Sequence, residues 1–268
     1  MLRSLLSRVM PAATRRTPAV PVIAPPSKKR GRAAAAAAVT AAAPDAKKQK
    51  KRGKPLPPPR AHTAAARVKA AKIAATLATL YPDPPCPLHH ASEVQLLVAV
   101  MLSAQTTDVK VNQCTKGLFQ AAPDAAALAA LGADGILPHI RALGLAPTKA
   151  RNVAATAQML VEHHGGRVPG DWGALEALPG VGHKTASVVM SMAGHPAFPV
   201  DTHVHRLAAR WGLSCGRSVE QTEADLKDVW PQAEWGRLHI RVIMFGREHC
   251  PAKGHVNKEC PVCSWAAV

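Results

Sequence analysis

The chain has 268 residues, enough for one large domain or two small ones with well-buried cores. Its formal net charge is +17, yet residues 1–60 hold 15 Lys and Arg against one acid, so the strongly basic character belongs to that segment. Six cysteines without a secretory signal argue against a disulfide scaffold, and no apolar run reaches the roughly 20 residues of a membrane span.

Residues 1–60 are rich in Ala, Pro and Lys and contain no aromatic residue, which predicts a disordered tail. Residues 1–10 are amphipathic, acid-free and bear Arg and Ser, as organellar transit peptides do. The basic runs 28–32 and 47–52 are typical of nuclear localisation signals and of segments that bind DNA non-specifically. We expect targeting to the nucleus, the mitochondrion or another organelle; a solvated polybasic linker is the alternative.

Beyond the tail, the hydrophobic pattern predicts helices throughout. An apolar stripe marks residues 64–80 as an amphipathic helix, and Ser92 is placed to cap a strongly apolar helix that ends in the polar turn 103–108. Further short helices, separated by Gly, Pro and Asp, are predicted at 125–131, 135–143 and 149–163. We find no convincing strand pattern and no internal repeat, so the predicted fold class is all-α.

The segment 178–186 organises the chain because it joins two predicted helices by a hairpin. Asp171 is a suitable N-cap for a short helix before it, and an Ala- and Val-rich helix follows it. Pro179 and Gly180 end the first helix, and Gly180 together with Gly182 permits a tight turn. Backbone N–H groups near a helix N-terminus suit an anion such as a DNA phosphate. An ordinary packing corner is the alternative.

Two further residues extend this pattern, namely Lys184 just after the hairpin and Asp201 at the mouth of the next helix. The combination Leu-Pro-Gly-Val-Gly-His-Lys-Thr-Ala followed by Val-Asp-Thr-His resembles the endonuclease III family of helix–hairpin–helix base-excision DNA glycosylases. The resemblance covers most of the chain beyond the tail and implies two helical domains with a DNA-binding cleft between them. The implied boundaries are 86–195 for the domain with Lys184, and 61–85 plus 196–268 for the domain with Asp201.

The resemblance also implies which residues contact DNA. The hairpin is implied to grip the backbone at Pro179, Gly180, Val181 and Gly182. Gln105 is implied to fill the gap left by an extruded nucleotide, and Leu145 to act as an apolar wedge that eases base flipping. From the residues alone, Gln105 fits a helix-capping turn and Leu145 a packed loop equally well.

Lys184 and Asp201 are the implied catalytic residues. An amine nucleophile forms a covalent Schiff base at C1′ of the deoxyribose, provided that it attacks as the neutral amine. Asp201, at a helix N-terminus whose dipole favours negative charge, is expected to stabilise positive charge that develops on the sugar. Because a Schiff base permits β-elimination, the family implies a bifunctional glycosylase and abasic-site lyase that removes oxidised pyrimidines.

Damaged double-stranded DNA is therefore the expected partner of a monomeric enzyme, with no membrane partner and no cofactor required for the chemistry. Two other functions stay open. A non-catalytic helix–hairpin–helix DNA-binding protein would share the hairpin and the tail but would not need Lys184 or Asp201. A sister glycosylase of the same fold would differ in its base preference, which the sequence leaves undetermined.

The cysteine-rich C-terminal segment departs from the family. Family members usually end in C-x6-C-x2-C-x5-C and bind a [4Fe–4S] cluster, whereas this chain has Cys250-x9-Cys260-x2-Cys263 without a fourth cysteine. A standard all-cysteine cluster is therefore not expected. His255 completes a spacing that suits a small tetrahedral zinc site. Three outcomes stay open, namely loss of the metal, a His-completed cluster and zinc, and loss of the metal is the one expected.

Overall fold

The computed structural model describes residues 55–268; the predicted targeting segments and most of the basic tail lie outside the described residues. Residues 55–268 form helices, turns and irregular loops but no β-strand, which confirms the all-α prediction. None of the helices described is both long and apolar enough to cross a membrane. The α-helices of this range are α1 Ala64–Leu80, α2 Glu93–Leu102, α3 Asp108–Ala121, α4 Ala125–Ile140, α5 Ala146–His164, α6 Trp172–Ala177, α7 His183–Met192, α8 Thr202–Arg210, α9 Val219–Val229, α10 Trp235–Glu248 and α11 Cys263–Ala266.

Polar side chains begin several of these helices at the predicted positions. Ser92 and Asp171 each accept a hydrogen bond from the backbone N–H three residues further on, at 3.3 and 2.9 Å. Each bond satisfies one of the four N–H groups that the start of a helix leaves unpaired. The helix predicted at 125–131 and most of the one predicted at 135–143 form α4, which is kinked at Gly132 (φ 65°, ψ 178°) and ends at Ile140 rather than at residue 143.

The first hydrophobic cluster is built around α2, in which nine of the ten residues are buried. Helix α2 packs against α3, α5 and α7. Leu97 and Leu102 of α2 are fully buried, as are Ile140 of α4 and Leu160 of α5 in the same cluster. A helix that is apolar on all sides is stable in water only when its neighbours cover it. Packing on α2 therefore fixes α7, the helix that carries Lys184.

The second hydrophobic cluster joins α1 to α8, α9 and α10. Ile73 and Leu77 of α1 are fully buried in it, together with Trp211 and Phe245. Burial of a large apolar side chain stabilises the fold by about 1.5–3 kcal/mol relative to leaving it exposed. Because Ile73 and Leu77 are buried among residues of the C-terminal helices, α1 packs with those helices, although it precedes the whole first cluster in the sequence.

An extended segment connects α1 to the first cluster, and α10 holds it in place. The buried Arg241 donates hydrogen bonds from Nε to the Tyr81 carbonyl and from Nη2 to the Pro82 carbonyl, both at 2.9 Å. Hydrogen bonds from a charged donor are the stronger kind, so this connection is firmly attached to the second cluster. The described residues all belong to one compact unit, and the predicted domain boundaries stay a prediction.

Candidate active site

Lys184, Asp201 and Gln105 are widely separated in the sequence but line one cavity of about 200 Å³. Residues of α2 and α7 form one part of its wall, and residues of α10 form another. Asp108 and Arg247, an ion pair at 2.7 Å that ties α3 to α10, line the same cavity. A second cavity of about 340 Å³, on the side of α8 and α9, is also lined by Lys184 and Asp201.

Lys184 projects from the first turn of α7, directly after the hairpin. Helix α7 begins at His183 with Gly182 as its N-cap, and among the described residues no side chain caps this end. The N–H groups of the first turn and the positive end of the helix dipole are therefore open to an anion. Because Lys184 is exposed, its amine is accessible to a substrate in the cavity.

Contacts from α5 fix the hairpin in its conformation. Gly180 has a φ of +79°, and a Cβ at this position would lie 2.6 Å from Nδ2 and 2.9 Å from Cβ of Asn152, so glycine is required here. Thr156 Oγ1 donates a hydrogen bond to the Pro179 carbonyl at 2.9 Å. Val181 is buried and its N–H donates within the turn at 3.1 Å, so this residue supports the hairpin from inside.

Asp201 is the N-cap of α8 and reaches the cavity from the second cluster. Its Oδ1 accepts a hydrogen bond from the Val204 N–H at 2.8 Å, which orients the half-buried carboxylate at the positive end of the helix dipole. The structure thus brings the two predicted catalytic residues, Lys184 and Asp201, onto one cavity from two different hydrophobic clusters.

His239 of α10 is a cavity residue that the sequence pattern did not single out. It is 3% exposed and lines the same cavity as Lys184 and Asp201. Burial lowers the pKa of its imidazole to about 4, although the Asp201 carboxylate acts in the opposite direction, so the ring is neutral near neutral pH. Its Nδ1 is buried and has no hydrogen-bond partner in the described part of the chain.

His183 was also missed, and it connects helices of the two clusters beside Lys184. Its Nδ1 lies 2.8 Å from Glu176 Oε1 and its Nε2 lies 3.0 Å from Glu223 Oε2. Its ring stacks on Trp172 with the centroids 5.1 Å apart. The hydrogen bond with Glu223 is the largest of the effects that raise the pKa of His183 to about 9. A histidine cation therefore holds α6 and α7 to α9 near neutral pH.

Gln105 and Leu145 occupy two turns with an unusual backbone conformation. They are the non-glycine residues with positive φ in residues 55–268, at 55° and 59°. This conformation is uncommon for residues with a side chain and is found at turns and at functional sites. Both side chains are exposed, and that of Leu145 is 64% exposed. The structure therefore exposes Gln105 and Leu145, two of the predicted DNA-contacting residues, to solvent.

Lys149, a third residue that the sequence did not reveal, ties these two turns together. It is only 7% exposed, and its Nζ donates to the carbonyls of Leu102 and Ala104 at 2.8 Å each and to Thr106 Oγ1 at 3.0 Å. These acceptors surround the turn of Gln105. Leu145 is the N-cap of α5, the helix that carries Lys149, so one buried ammonium group links both turns.

A separate group of potential metal ligands lies in the C-terminal segment. Four ligand atoms lie within 4.8 Å of one another, those of Cys250, His255, Cys260 and Cys263, and the three cysteines are buried. The three other cysteines of the described range, at positions 86, 114 and 215, lie outside this group. None of the four ligands lines the cavity of Lys184. The group is able to hold a metal ion, but not at the candidate active site.

Comparison with known proteins places these features in a wider context. The model of the family described as "HhH-GPD superfamily base excision DNA repair protein" matches residues 98–232. Endonuclease III of Treponema pallidum (strain Nichols) is 44% identical to this chain over 180 residues, which cover 67% of this chain and 85% of that protein.

Two solved structures are similar over a comparable range. The structure of a non-covalent endonuclease III–DNA complex has a TM-score of 0.70 and 39% identity, and the match covers 75% of this chain and 94% of that one. The structure of a trapped endonuclease III–DNA covalent intermediate, an estranged-adenine complex, has a TM-score of 0.69 and 40% identity. That match covers 73% of this chain and 93% of the other.

Proposed function

The chain belongs to the endonuclease III family of base-excision DNA repair proteins, and we propose that it removes oxidised pyrimidines from duplex DNA. It is a DNA glycosylase with abasic-site lyase activity. The observation that carries this function is that Lys184 and Asp201 line one cavity next to the open N-terminus of α7. A protein that only binds DNA needs neither residue, so the non-catalytic alternative leaves this arrangement unexplained.

Lys184 acts as the nucleophile. Its neutral Nζ attacks C1′ of the deoxyribose, and the glycosidic bond breaks with its electron pair leaving on the base. Loss of a proton from Nζ and opening of the sugar ring then give a Schiff base. Removal of a proton from C2′ expels the 3′ phosphate by β-elimination, which accounts for the lyase activity. A covalent endonuclease III–DNA intermediate, of the kind trapped for a similar structure, is the adduct that such an amine forms.

Asp201 stabilises the positive charge that develops on the sugar as the base leaves. Its carboxylate is already oriented by the hydrogen bond from the Val204 N–H, so little reorganisation is needed at the moment of reaction. His239 lines the same cavity as a neutral ring. An imidazolium at this place would repel the developing cation, so the low pKa of His239 favours the reaction.

The hairpin and the two exposed turns bind the DNA. A phosphate binds at the first turn of α7, where Gly182 leaves N–H groups open. Leu145 enters the duplex as a wedge, and Gln105 fills the space of the flipped nucleotide. Unstacking a base costs a few kcal/mol. Contacts that Leu145 and Gln105 make only with the flipped state offset part of this cost, provided that their turns are rigid. Lys149 supplies that rigidity to both turns.

Trapping with borohydride tests the nucleophile directly. Thymine-glycol duplex and borohydride should give a covalent adduct with the wild-type protein and none with Lys184→Gln. Lys116→Gln, which removes an exposed lysine of α3, is the matched control and should trap normally. Asp201→Asn should slow turnover and leave DNA binding largely intact, because Asn is also a good N-cap. An adduct with Lys184→Gln would assign the nucleophile to another amine.

The base preference is tested with a second substrate in the same assay. Faster excision from an oxidised-guanine duplex than from a thymine-glycol duplex would show the sister glycosylase specificity instead. The excision steps above involve no metal, so the ligand group around Cys250 has a structural role. Cys260→Ser, which removes one ligand of this group, should therefore affect stability before it affects the trapped adduct.

We also infer that the basic segment of residues 1–60 directs the protein to the nucleus, the mitochondrion or another organelle. The inference is supported by the transit-like first ten residues and the two basic runs. Deletion of residues 1–60 should disperse a fluorescent fusion from its compartment and weaken non-specific DNA binding. An unchanged location would refute the targeting role.

A further inference from the structure

The ligand group of the C-terminal segment has the dimensions of a single-metal site. Cys250 Sγ lies 3.6 Å from Cys263 Sγ and 3.6 Å from His255 Nε2. In a tetrahedral zinc site, bonds of ~2.3 Å to sulfur and ~2.0–2.1 Å to nitrogen place two sulfurs about 3.8 Å apart and a sulfur and a nitrogen about 3.6 Å apart. These two separations therefore match edges of a tetrahedron around one zinc ion, and all four ligand atoms lie within 4.8 Å of one another.

The same distances do not fit the [4Fe–4S] cluster that the family resemblance implies. Such a cluster binds each ligand through a different iron at a separate corner of a cube. Its ligand atoms are therefore spread well beyond the edges of a single-metal tetrahedron. The donor set also differs, since the four ligands comprise three cysteines and one imidazole, that of His255. The residues present do not fit an all-cysteine four-iron cluster.

Two hydrogen bonds are donated to the sulfur atoms of this group. Arg210 Nη1 of α8 donates to Cys250 Sγ at 2.9 Å, and the N–H of Cys263 donates to Cys260 Sγ at 3.3 Å. The second bond lies within a Cys-x2-Cys turn, a common element of structural zinc sites. Three thiolates and one zinc ion leave a net charge of −1, which the Arg210 guanidinium balances. Donors of this kind orient the ligands and tune their basicity.

We propose that Cys250, His255, Cys260 and Cys263 bind one zinc ion in a closed, four-coordinate structural site. The ion ties the chain after α10 to α11, and through Arg210 it ties this segment to α8. All four positions of the ion are filled by protein atoms, so no position is open for a substrate or a catalytic water. The proposal does not depend on the glycosylase activity.

Metal analysis of the purified full-length chain is the first test. Cells are grown with both zinc and iron supplied, and the protein is isolated without chelator. We expect about one zinc per chain, no stoichiometric iron and no visible absorption. About four irons per chain with a yellow-brown colour would overturn the proposal in favour of a cluster.

Titration of the metal-free chain with Co²⁺ is the second test, and it needs no variant to fold. Wild-type protein should take up one Co²⁺ and develop the visible bands of a tetrahedral thiolate complex, which zinc then displaces. Absence of Co²⁺ uptake, together with no bound zinc, would refute the site. His255→Ala and Cys260→Ser should weaken binding at least tenfold, whereas the matched controls His163→Ala and Cys215→Ser, both at exposed positions, should bind normally. Equal binding by all four variants would also overturn the ligand assignment.

Discussion

Replacement of Lys149 by methionine tests whether the buried ammonium group holds the turns of Gln105 and Leu145, which we propose to contact DNA. Methionine has nearly the same length and fills the same space but donates no hydrogen bond. The change leaves the carbonyls of Leu102 and Ala104 and the hydroxyl of Thr106 without their donor in a site that is 7% exposed. Burial lowers the pKa of Lys149, which shows that holding this charge inside the protein carries a desolvation penalty.

The expected loss of stability is the free energy of the three lost hydrogen bonds minus the desolvation penalty that methionine avoids. Hydrogen bonds from a charged donor contribute ~1.5–3 kcal/mol each, so three of them give roughly 5–9 kcal/mol before desolvation is counted. The effective penalty for burying one ion is several kcal/mol, and methionine does not incur it. We therefore expect Lys149→Met to lower the free energy of unfolding by about 2–4 kcal/mol, which for a domain of this size lowers Tm by about 4–16 °C.

Urea unfolding and thermal unfolding of Lys149→Met measure this loss, and Lys116→Met is the matched control. The control removes the same charge from an exposed position of α3 and should change stability by no more than ~0.5 kcal/mol. Excision from damaged duplex should fall with Lys149→Met even at temperatures where the variant is fully folded, because both turns lose their support. Stability equal to that of the control would refute a structural role for the three hydrogen bonds. Normal excision by a destabilised variant would show that the turns do not need this support.

Three further outcomes follow from single contacts. The pKa of His183 in the folded protein, about 9, lies above its ordinary value of 6.5. Protonated His183 therefore stabilises the folded protein fully below pH ~6.5, and this contribution is lost as the pH rises through about 9. Urea midpoints of wild type and His183→Gln should therefore converge with rising pH, and parallel profiles would contradict this. Gly180→Ala should lower the free energy of unfolding by ~1–3 kcal/mol, because φ is positive at this position and the added Cβ would collide with Asn152. Gly144→Ala, with no atom within 4 Å of the added Cβ, should have a smaller effect in the same unfolding assay, and equal losses would argue against the steric reasoning. Leu145→Ala should leave stability within ~0.5 kcal/mol and lower kcat/KM on duplex about tenfold, equivalent to ~1.4 kcal/mol; unchanged kcat/KM would exclude the wedge.

Local signals in the sequence were sufficient for the helices and the hairpin. Ser92 and Asp171 are caps because a short polar side chain precedes an apolar helical pattern, and each caps its helix in the structure. The Pro179-Gly180 pair ends a helix for reasons contained in those two residues. Lys184 and Asp201 were selected by the family pattern, and their placement on one cavity depends on packing between helices that no local signal specifies.

The residues that the sequence did not reveal act through contacts with distant parts of the chain. Lys149 binds carbonyls 45 and 47 positions earlier, and His183 meets Glu223 40 positions later. A lysine on a helix is usually a solvated surface residue, so nothing local distinguishes Lys149. His239 lies in a buried helix face where histidine is ordinarily a packing residue. Its relation to Asp201 exists only after α8 and α10 have packed together.

The stack of His183 on Trp172 gives this protein an internal optical probe. The two rings are nearly parallel, at 20°, with centroids 5.1 Å apart, so the imidazolium lies over the face of the indole. A protonated imidazole in contact with an indole quenches its fluorescence. The contribution of Trp172 to the emission of the five tryptophans therefore reports the charge of His183 and the integrity of its bonds to both carboxylates. The difference in emission between the wild-type protein and Trp172→Phe isolates this contribution without a label.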